Sequence, residues 1–457
     1  MSRVWSRFVA SWIIALIGLV GVATAQSSHS EIRPKRNSPY SRFGLGDPQD
    51  QFYVAAGGMA GLSAAFQDPF HMNLRNPASL AFLQATSFEV GFNAKYSLLE
   101  GGEEDARSWG GNLNYLALGF PLKNPINEAM DRRRSPFGWG MAFALQPYTV
   151  VGYDIIADTE GNGTGATSSS FRGTGGTYRV LWSNAFRWKS LSVGINTSYL
   201  FGKITNSQLV QFLELEGAFS SRFLDETSYS GLLWEFGAQY LIDLKEMNAD
   251  GEREASGKRL IIGLFGNGNN SFRTNTSAFV SRFNPTLNVR NDTIFNEDEL
   301  RSNGQLPAEL TGGVVYEESN RFKVGMEYSV GLWSNYENDV QANRRVVLDD
   351  TWGVRAGVEY IPDYASYNNY FKRVSYRFGG VYRTDPRVFQ EGQLTQYGLT
   401  FGLGFPIIRP REQRSNVNFA VEVGRYGNPD TINETYVKMA IGFTLNDNTW
   451  FYKRKFN

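Results

Sequence analysis

The chain has 457 residues, of which 14% are aromatic and 20% charged, with 48 glycines, no cysteine and a formal net charge of zero. A balanced charge leaves no electrostatic footprint for nucleic acid, and the missing cysteine excludes disulfides and lipid attachment through an N-terminal cysteine. No interior stretch approaches the ~20 apolar residues of a helical span, which excludes a helical membrane protein but not a strand barrel, where half of each spanning strand is polar.

In chain order, residues 1–25 read as a cleaved signal peptide. Arg3 and Arg7 precede an apolar run from Phe8 to Val22, and Ala23-Thr24-Ala25 forms a small-residue cleavage site. Residues 26–39 are polar and read as a flexible segment. Residues 40–86 are rich in Gly, Ala, Ser and Asn and lack a period-two pattern.

From about residue 87 the pattern changes. Trp139, Met141, Phe143 and Leu145 alternate with glycines and alanines, and Leu191, Val193 and Ile195 alternate with Ser192, Gly194 and Asn196. A side-chain period of two predicts strands with one greasy and one small polar face. Such strands are expected at about 88–97, 111–121, 137–148, 173–188, 190–204, 228–242, 258–267, 308–318, 322–333, 351–361, 373–383, 394–406, 417–426 and 435–445. The count is fourteen, and an even number suits a single-chain outer-membrane barrel over residues 87–445.

The connections follow suit. With the first strand outward-going, Lys189 and 317–321 are short periplasmic turns, whereas 158–171, 205–227, 268–307 and 334–350 are long external loops. Segments 122–136 and 243–257 are long for periplasmic turns. Trp182, Trp188, Tyr199, Trp234, Tyr240, Trp333, Trp352 and Tyr360 are expected in interfacial girdles. Residues 446–457 form a periplasmic tail. The basic runs Arg132-Arg133-Arg134 and Lys453-Arg454-Lys455 read as a solvated turn and tail.

Catalysis has little to stand on. The two histidines, His29 and His71, fall outside the predicted strands, so no wall strand can pair a histidine with a serine nucleophile. No Cys/His cluster suits zinc. Asp250-Gly251-Glu252 and Asn296-Glu297-Asp298-Glu299 depart from EF-hand spacing and read as solvated loops. The reading is of a protein that is not an enzyme and uses no metal or other cofactor.

The sequence Ala55-Ala56-Gly57-Gly58-Met59-Ala60-Gly61-Leu62 leads through Asp68-Pro69 to Asn76-Pro77-Ala78-Ser79-Leu80-Ala81. This resembles the N-terminal hatch of the FadL-type outer-membrane transporters of hydrophobic compounds, and is similar also to PorV-type barrels and to uncharacterised Bacteroidetes-type outer-membrane proteins. The resemblance implies an all-β, 14-stranded antiparallel transmembrane barrel with residues 40–86 as a plug in its lumen. It implies hatch or gating roles for Gly57, Gly58, Gly61, Asp68, Asn73, Asn76 and Pro77. In that family a defect in the third strand opens the wall sideways, and Pro147, which cannot donate to a ladder, is the matching candidate. Gly442-Phe443-Thr444-Leu445 is similar to the C-terminal signal read by the barrel-assembly machinery, although the chain continues past it.

The expected function is passive uptake of small hydrophobic, fatty-acid-like compounds across the Gram-negative outer membrane. The alternative is a non-transporting, PorV-like partner that holds other proteins there. Membrane lipid, the assembly machinery, a hydrophobic ligand and a protein partner are the contacts implied.

Overall fold

The computed structural model describes residues 37–457 apart from 102–103, 124–134, 162–164, 216, 248–252, 285–288, 340–347, 390–391, 409–413, 429–431 and 448–457. The expected signal peptide, nearly all of segment 26–39 and almost the whole tail lie outside these residues.

Among the described residues fourteen antiparallel strands form the wall: β2 (Thr86–Gly101), β3 (Glu104–Pro121), β4 (Phe137–Gly161), β5 (Gly165–Trp188), β6 (Leu191–Phe212), β7 (Ser220–Met247), β8 (Arg253–Asn267), β11 (Glu309–Glu318), β12 (Phe322–Gly331), β14 (Thr351–Tyr360), β15 (Ser375–Phe389), β16 (Gly392–Ile408), β17 (Arg414–Gly427) and β18 (Asn433–Asp447). Each pairs with the next, and β18 returns to β2 through Tyr436↔Ser97 and Ile441↔Phe92, so the ring closes. Closure gives every wall strand a neighbour on both sides over at least part of its length, the condition for a spanning strand structure. No helix among the described residues is long and apolar enough to cross a membrane.

Alternation decides which face is which. Trp139, Phe143, Val193 and Phe443 are exposed on the outside, whereas Ala142, Ala144, Ser192 and Thr444 are buried inside. Trp188, Trp352 and Tyr360 lie exposed at or next to the ends of their strands, as an interfacial girdle requires. Trp333 is a correction to the expected girdle. It lies in a 3-10 turn, Trp333–Asn335, and its indole Nε1 donates to the inward Glu309 at 3.0 Å.

The two ends differ. At one, the turn end, Lys189 joins β5 to β6 at φ +54°, and Ser319–Arg321 joins β11 to β12. At the other, the extended end, three of the four expected long loops, 158–171, 205–227 and 268–307, are largely strand among the described residues, whereas 334–350 holds only the short strand Glu337–Asn338. β4 to β7 are 25, 24, 22 and 28 residues long, far beyond the ~9–11 that cross a bilayer. Segment 158–171 pairs across Asp158↔Ser168 and Glu160↔Ala166, and 268–307 is a hairpin of β9 (Asn270–Asn284) and β10 (Val289–Leu306) that continues the sheet beside β7. Composition misleads there because β-propensity depends on context, and polar residues join a ladder once a neighbouring strand offers its edge. The two-residue strands β1 (Asp47–Pro48) and β13 (Glu337–Asn338) pair with β4 and β10 respectively.

Candidate functional site: luminal segment, wall break and cavity

Residues 53–85 touch the inner faces of strands all round the ring. Gly140 of β4 faces Leu80, Gly263 of β8 faces Ala64, Gly357 of β14 faces Met59, and Gly442 of β18 faces Val54. At Gly263 a Cβ would lie 1.8 Å from the Ala64 carbonyl oxygen, so only glycine admits this backbone. Tyr53, Val54, Met59, Leu62, Phe66, Met72 and Leu80 form an apolar core with Ala117, Ala142 and Ala185 of the wall.

Irregular backbone inside a barrel must find hydrogen-bond partners, and the wall supplies them. Glu327 of β12 accepts from the N–H groups of Ser63 at 2.8 Å and Ala64 at 3.0 Å, and from Arg355 Nη1 at 3.0 Å. Glu89 of β2 accepts from Met72 N–H at 2.8 Å. Gln239 of β7 donates to Ala64 O at 2.9 Å, and Asn196 of β6 donates to Leu74 O at 2.8 Å. Toward the turn end a buried ion row joins the wall itself: Lys323 lies 3.6 Å from both Glu317 and Glu359, and Arg377 donates to Glu359 at 2.6 Å and to Asn418 at 2.9 Å. Lys438 of β18 pairs with Asp50.

The motif residues divide by role. Asn76, fully buried, donates to Ala64 O at 2.6 Å and caps the 3-10 turn Pro77–Phe82 by accepting from Ala78 N–H at 3.1 Å. Pro77 opens that turn, where its missing N–H costs nothing. Asn73 donates to Ser63 O at 2.6 Å and Phe66 O at 3.1 Å. Gly61 adopts φ +77° against the Phe52 ring, Gly58 meets Gly402 of β16, and Gly57 ends the short helix Val54–Gly57. Asp68 closes a local turn by accepting from Phe70 N–H at 2.8 Å. These residues come together as a folded segment, and their contacts are structural.

His71 sits between segment and wall. Its Nδ1 lies 3.1 Å from Thr444 Oγ1 and 3.5 Å from Glu89 Oε1, and Tyr53 stacks on the ring. Burial disfavours its charged form, but Asp68 and Glu89 outweigh burial and hold its pKa above the usual imidazole value.

The wall is interrupted beside Pro147. β3 pairs with β4 only from Pro121↔Gly140 to Leu116↔Leu145, and beyond that β5 is the one wall strand on β4 among the described residues, through a bulge between Pro147 and Thr149. Residues 37–49 occupy the vacated side of β4. Ser38 N–H donates to Gly152 O at 2.7 Å, β1 pairs Asp47↔Val150 and Pro48↔Thr149, and Gln49 N–H donates to Tyr148 O at 3.0 Å. Asn37 reaches both sides: its N–H donates to Ser108 Oγ of β3 at 2.8 Å, and its Oδ1 accepts from Asp154 N–H of β4 at 3.1 Å.

Behind this seal lies a cavity of about 260 Å³ near the extended end, edged by Gly46–Gln51. Leu45, Leu233, Leu306 and Tyr336 give it apolar surface, and Arg75, Glu235, Glu309 and Arg355 give it charge. Arg75 belongs to the luminal segment. Its guanidinium lies over the Phe265 ring at 5.1 Å, and among the described residues no hydrogen bond or ion pair engages it. Burial and the Arg355 charge lower its pKa from the ordinary value.

The residues that pin the segment, Glu327, Glu89, Gln239 and Asn196, together with Arg75, lay outside the motif reading. A signal existed for some. Met326-Glu327-Tyr328, Val358-Glu359-Tyr360 and Tyr376-Arg377-Phe378 each set one charge between outward apolar residues, which marks a luminal charge.

No curated protein matches the chain. Among solved structures, the chain is similar to the Pseudomonas putida toluene transporter TodX at 14% identity, TM-score 0.52, covering 89% of this chain and 100% of that one. It is similar to a Pseudomonas aeruginosa FadL homologue at 12% identity, TM-score 0.51, covering 88% and 99%. These likenesses establish the FadL-type fold, that of an outer-membrane barrel. The BamG family model matches residues 11–457, nearly the whole chain, and the protein therefore belongs to the BamG family.

Proposed function

We propose that this barrel takes small, largely apolar compounds bearing one polar group, fatty-acid-like in character, into the cavity at its extended end and releases them sideways between β3 and β4. The observation that carries the reading is the interrupted β3–β4 ladder, with a cavity behind it and residues 37–49 across it. Arg75 offers a cation to the polar group, and Leu233, Leu306 and Tyr336 cover the apolar body. Movement of residues 37–49 is the gating step, because among the described residues this segment alone covers the side of β4 that β3 leaves unpaired, through the short ladder of β1 and the bonds at Ser38 and Gln49. Names of fold relatives agree in kind: TodX is a toluene transporter.

The test exploits the absence of native cysteine. Pro48→Cys with Thr149→Cys places thiols at directly paired positions, within disulfide reach. In proteoliposomes, oxidation is expected to stop uptake of labelled oleate and toluene, and reduction to restore it. Uptake unaffected by the bond would sink the sideways route.

A second reading is supported by the ion-pinned segment: a closed barrel that serves as a partner for other proteins at the outer membrane. No uptake of either probe, together with a stoichiometric protein recovered from native membranes, would favour it.

A further inference from the structure

At the turn end, the connection between β14 and β15 carries aromatic and basic side chains that the luminal site does not use. Tyr367 is 96% and Phe371 67% exposed, and Tyr370, Lys372 and Arg373 stand beside them. This connection is ordered by its own bonds. Asp363 N–H donates to Lys372 O at 2.9 Å, Asn369 Oδ1 caps the 3-10 turn Tyr370–Arg373 through Phe371 N–H at 3.0 Å, and Asp363 accepts from Ala365 N–H at 3.1 Å.

Its position relative to the bilayer follows from what holds it. Tyr376 points outward from β15, next to outward Phe378, and its hydroxyl donates to Phe371 O at 3.1 Å. Tyr370 donates to Pro406 O of β16 at 3.1 Å. The segment is thus clamped over the lipid side of the rim, at the level of the Tyr360 and Tyr376 girdle, where headgroups meet acyl chains.

Charge names the occupant. Among the described residues, neither the Lys372 ammonium nor the Arg373 guanidinium has a hydrogen-bond or ion-pair partner, and Arg373 Nε is buried and unsatisfied. Arg373 lies over the Tyr370 ring at 5.0 Å. The acid within the connection, Asp363, is spent on its own turn. Two free cations beside aromatics at headgroup depth match a phosphate ester with its acyl chains below.

We propose that residues 367–373 form a binding site for an anionic phospholipid of the adjoining leaflet, with Lys372 and Arg373 on the headgroup phosphate and Phe371 and Tyr367 in the upper acyl region. The site is separate from the cavity and independent of any transport.

The test is native mass spectrometry of the detergent-purified barrel with phosphatidylglycerol, phosphatidylcholine or inorganic phosphate added. Phosphatidylglycerol is expected to be retained in preference to phosphatidylcholine. Lys372→Gln with Arg373→Gln should weaken that retention by about thirtyfold. Phe371→Ser should weaken retention of both lipids while the heat-modifiable gel shift of a folded barrel persists. Lys372→Gln alone, which leaves the Arg373 stack intact, should give a partial loss. Equal retention of the two lipids, unchanged retention in the double variant, or equal protection by inorganic phosphate would each overturn the proposal.

Discussion

Glu327 on β12 accepts the backbone N–H of Ser63 at 2.8 Å, with the same carboxylate holding Arg355. One wall residue thereby fixes both the luminal segment and a second wall strand. Buried ion pairs add little net stability against an apolar replacement, but removing one partner strands the other. Glu327→Gln is expected to cost about 3 kcal/mol locally, because Arg355 loses its counter-charge while buried. Hydrogen exchange should show faster opening at residues 60–66. Unchanged protection there would refute the pinning role.

Asn76 makes two kinds of bond at once, one to Ala64 O and one as the cap of the turn Pro77–Phe82. Asn76→Ala should destabilise the segment by about 2 kcal/mol, the sum of a lost cap and an unsatisfied buried carbonyl. Denaturation followed by tryptophan fluorescence would miss a purely local change, so limited proteolysis within residues 53–85 is the better measure. Resistance equal to that of the parent would count against the assignment.

Close approach of backbone at Gly263 makes a paired comparison possible. A Cβ there would meet Ala64 O at 1.8 Å, whereas at Gly312 on the neighbouring strand β11 the nearest atom is 3.4 Å away, at the tip of Leu264. Gly263→Ala should displace the segment and cost about 1–3 kcal/mol, while Gly312→Ala should be nearly neutral. Conductance in planar bilayers, rising only in the Gly263 variant, would report the displacement.

The protonation of His71 links anchoring to pH. Its folded-state pKa is raised, because Asp68 and Glu89 outweigh the burial that opposes charge. A raised value means the stabilising contribution is fully present below the unfolded pKa of about 6.5 and is lost as pH rises through the folded value. Exchange at residues 68–74 should therefore be slower near pH 5.5 than near pH 8.5 after correction for intrinsic rates, and His71→Gln should flatten the difference. The opposite slope would show that burial wins.

A period of two, carried by apolar residues facing lipid and small or polar ones facing inward, was enough to read fourteen strands from the chain. That works because lipid selects each outward residue independently of its neighbours in space. The Gly/Ala run and Asn76-Pro77 were legible for a related reason: local turn geometry restricts which residues can occupy them. Tertiary structure decided the rest. Whether 158–171 and 268–307 are loops or strands depended on a neighbouring edge being free, which no local pattern encodes. Residues 37–49 found the side of β4 that β3 leaves unpaired, and Glu327 found Ser63 across 264 positions of sequence. Such pairings follow from ring closure, which brings strands and segment together in a way that side-chain period alone does not specify.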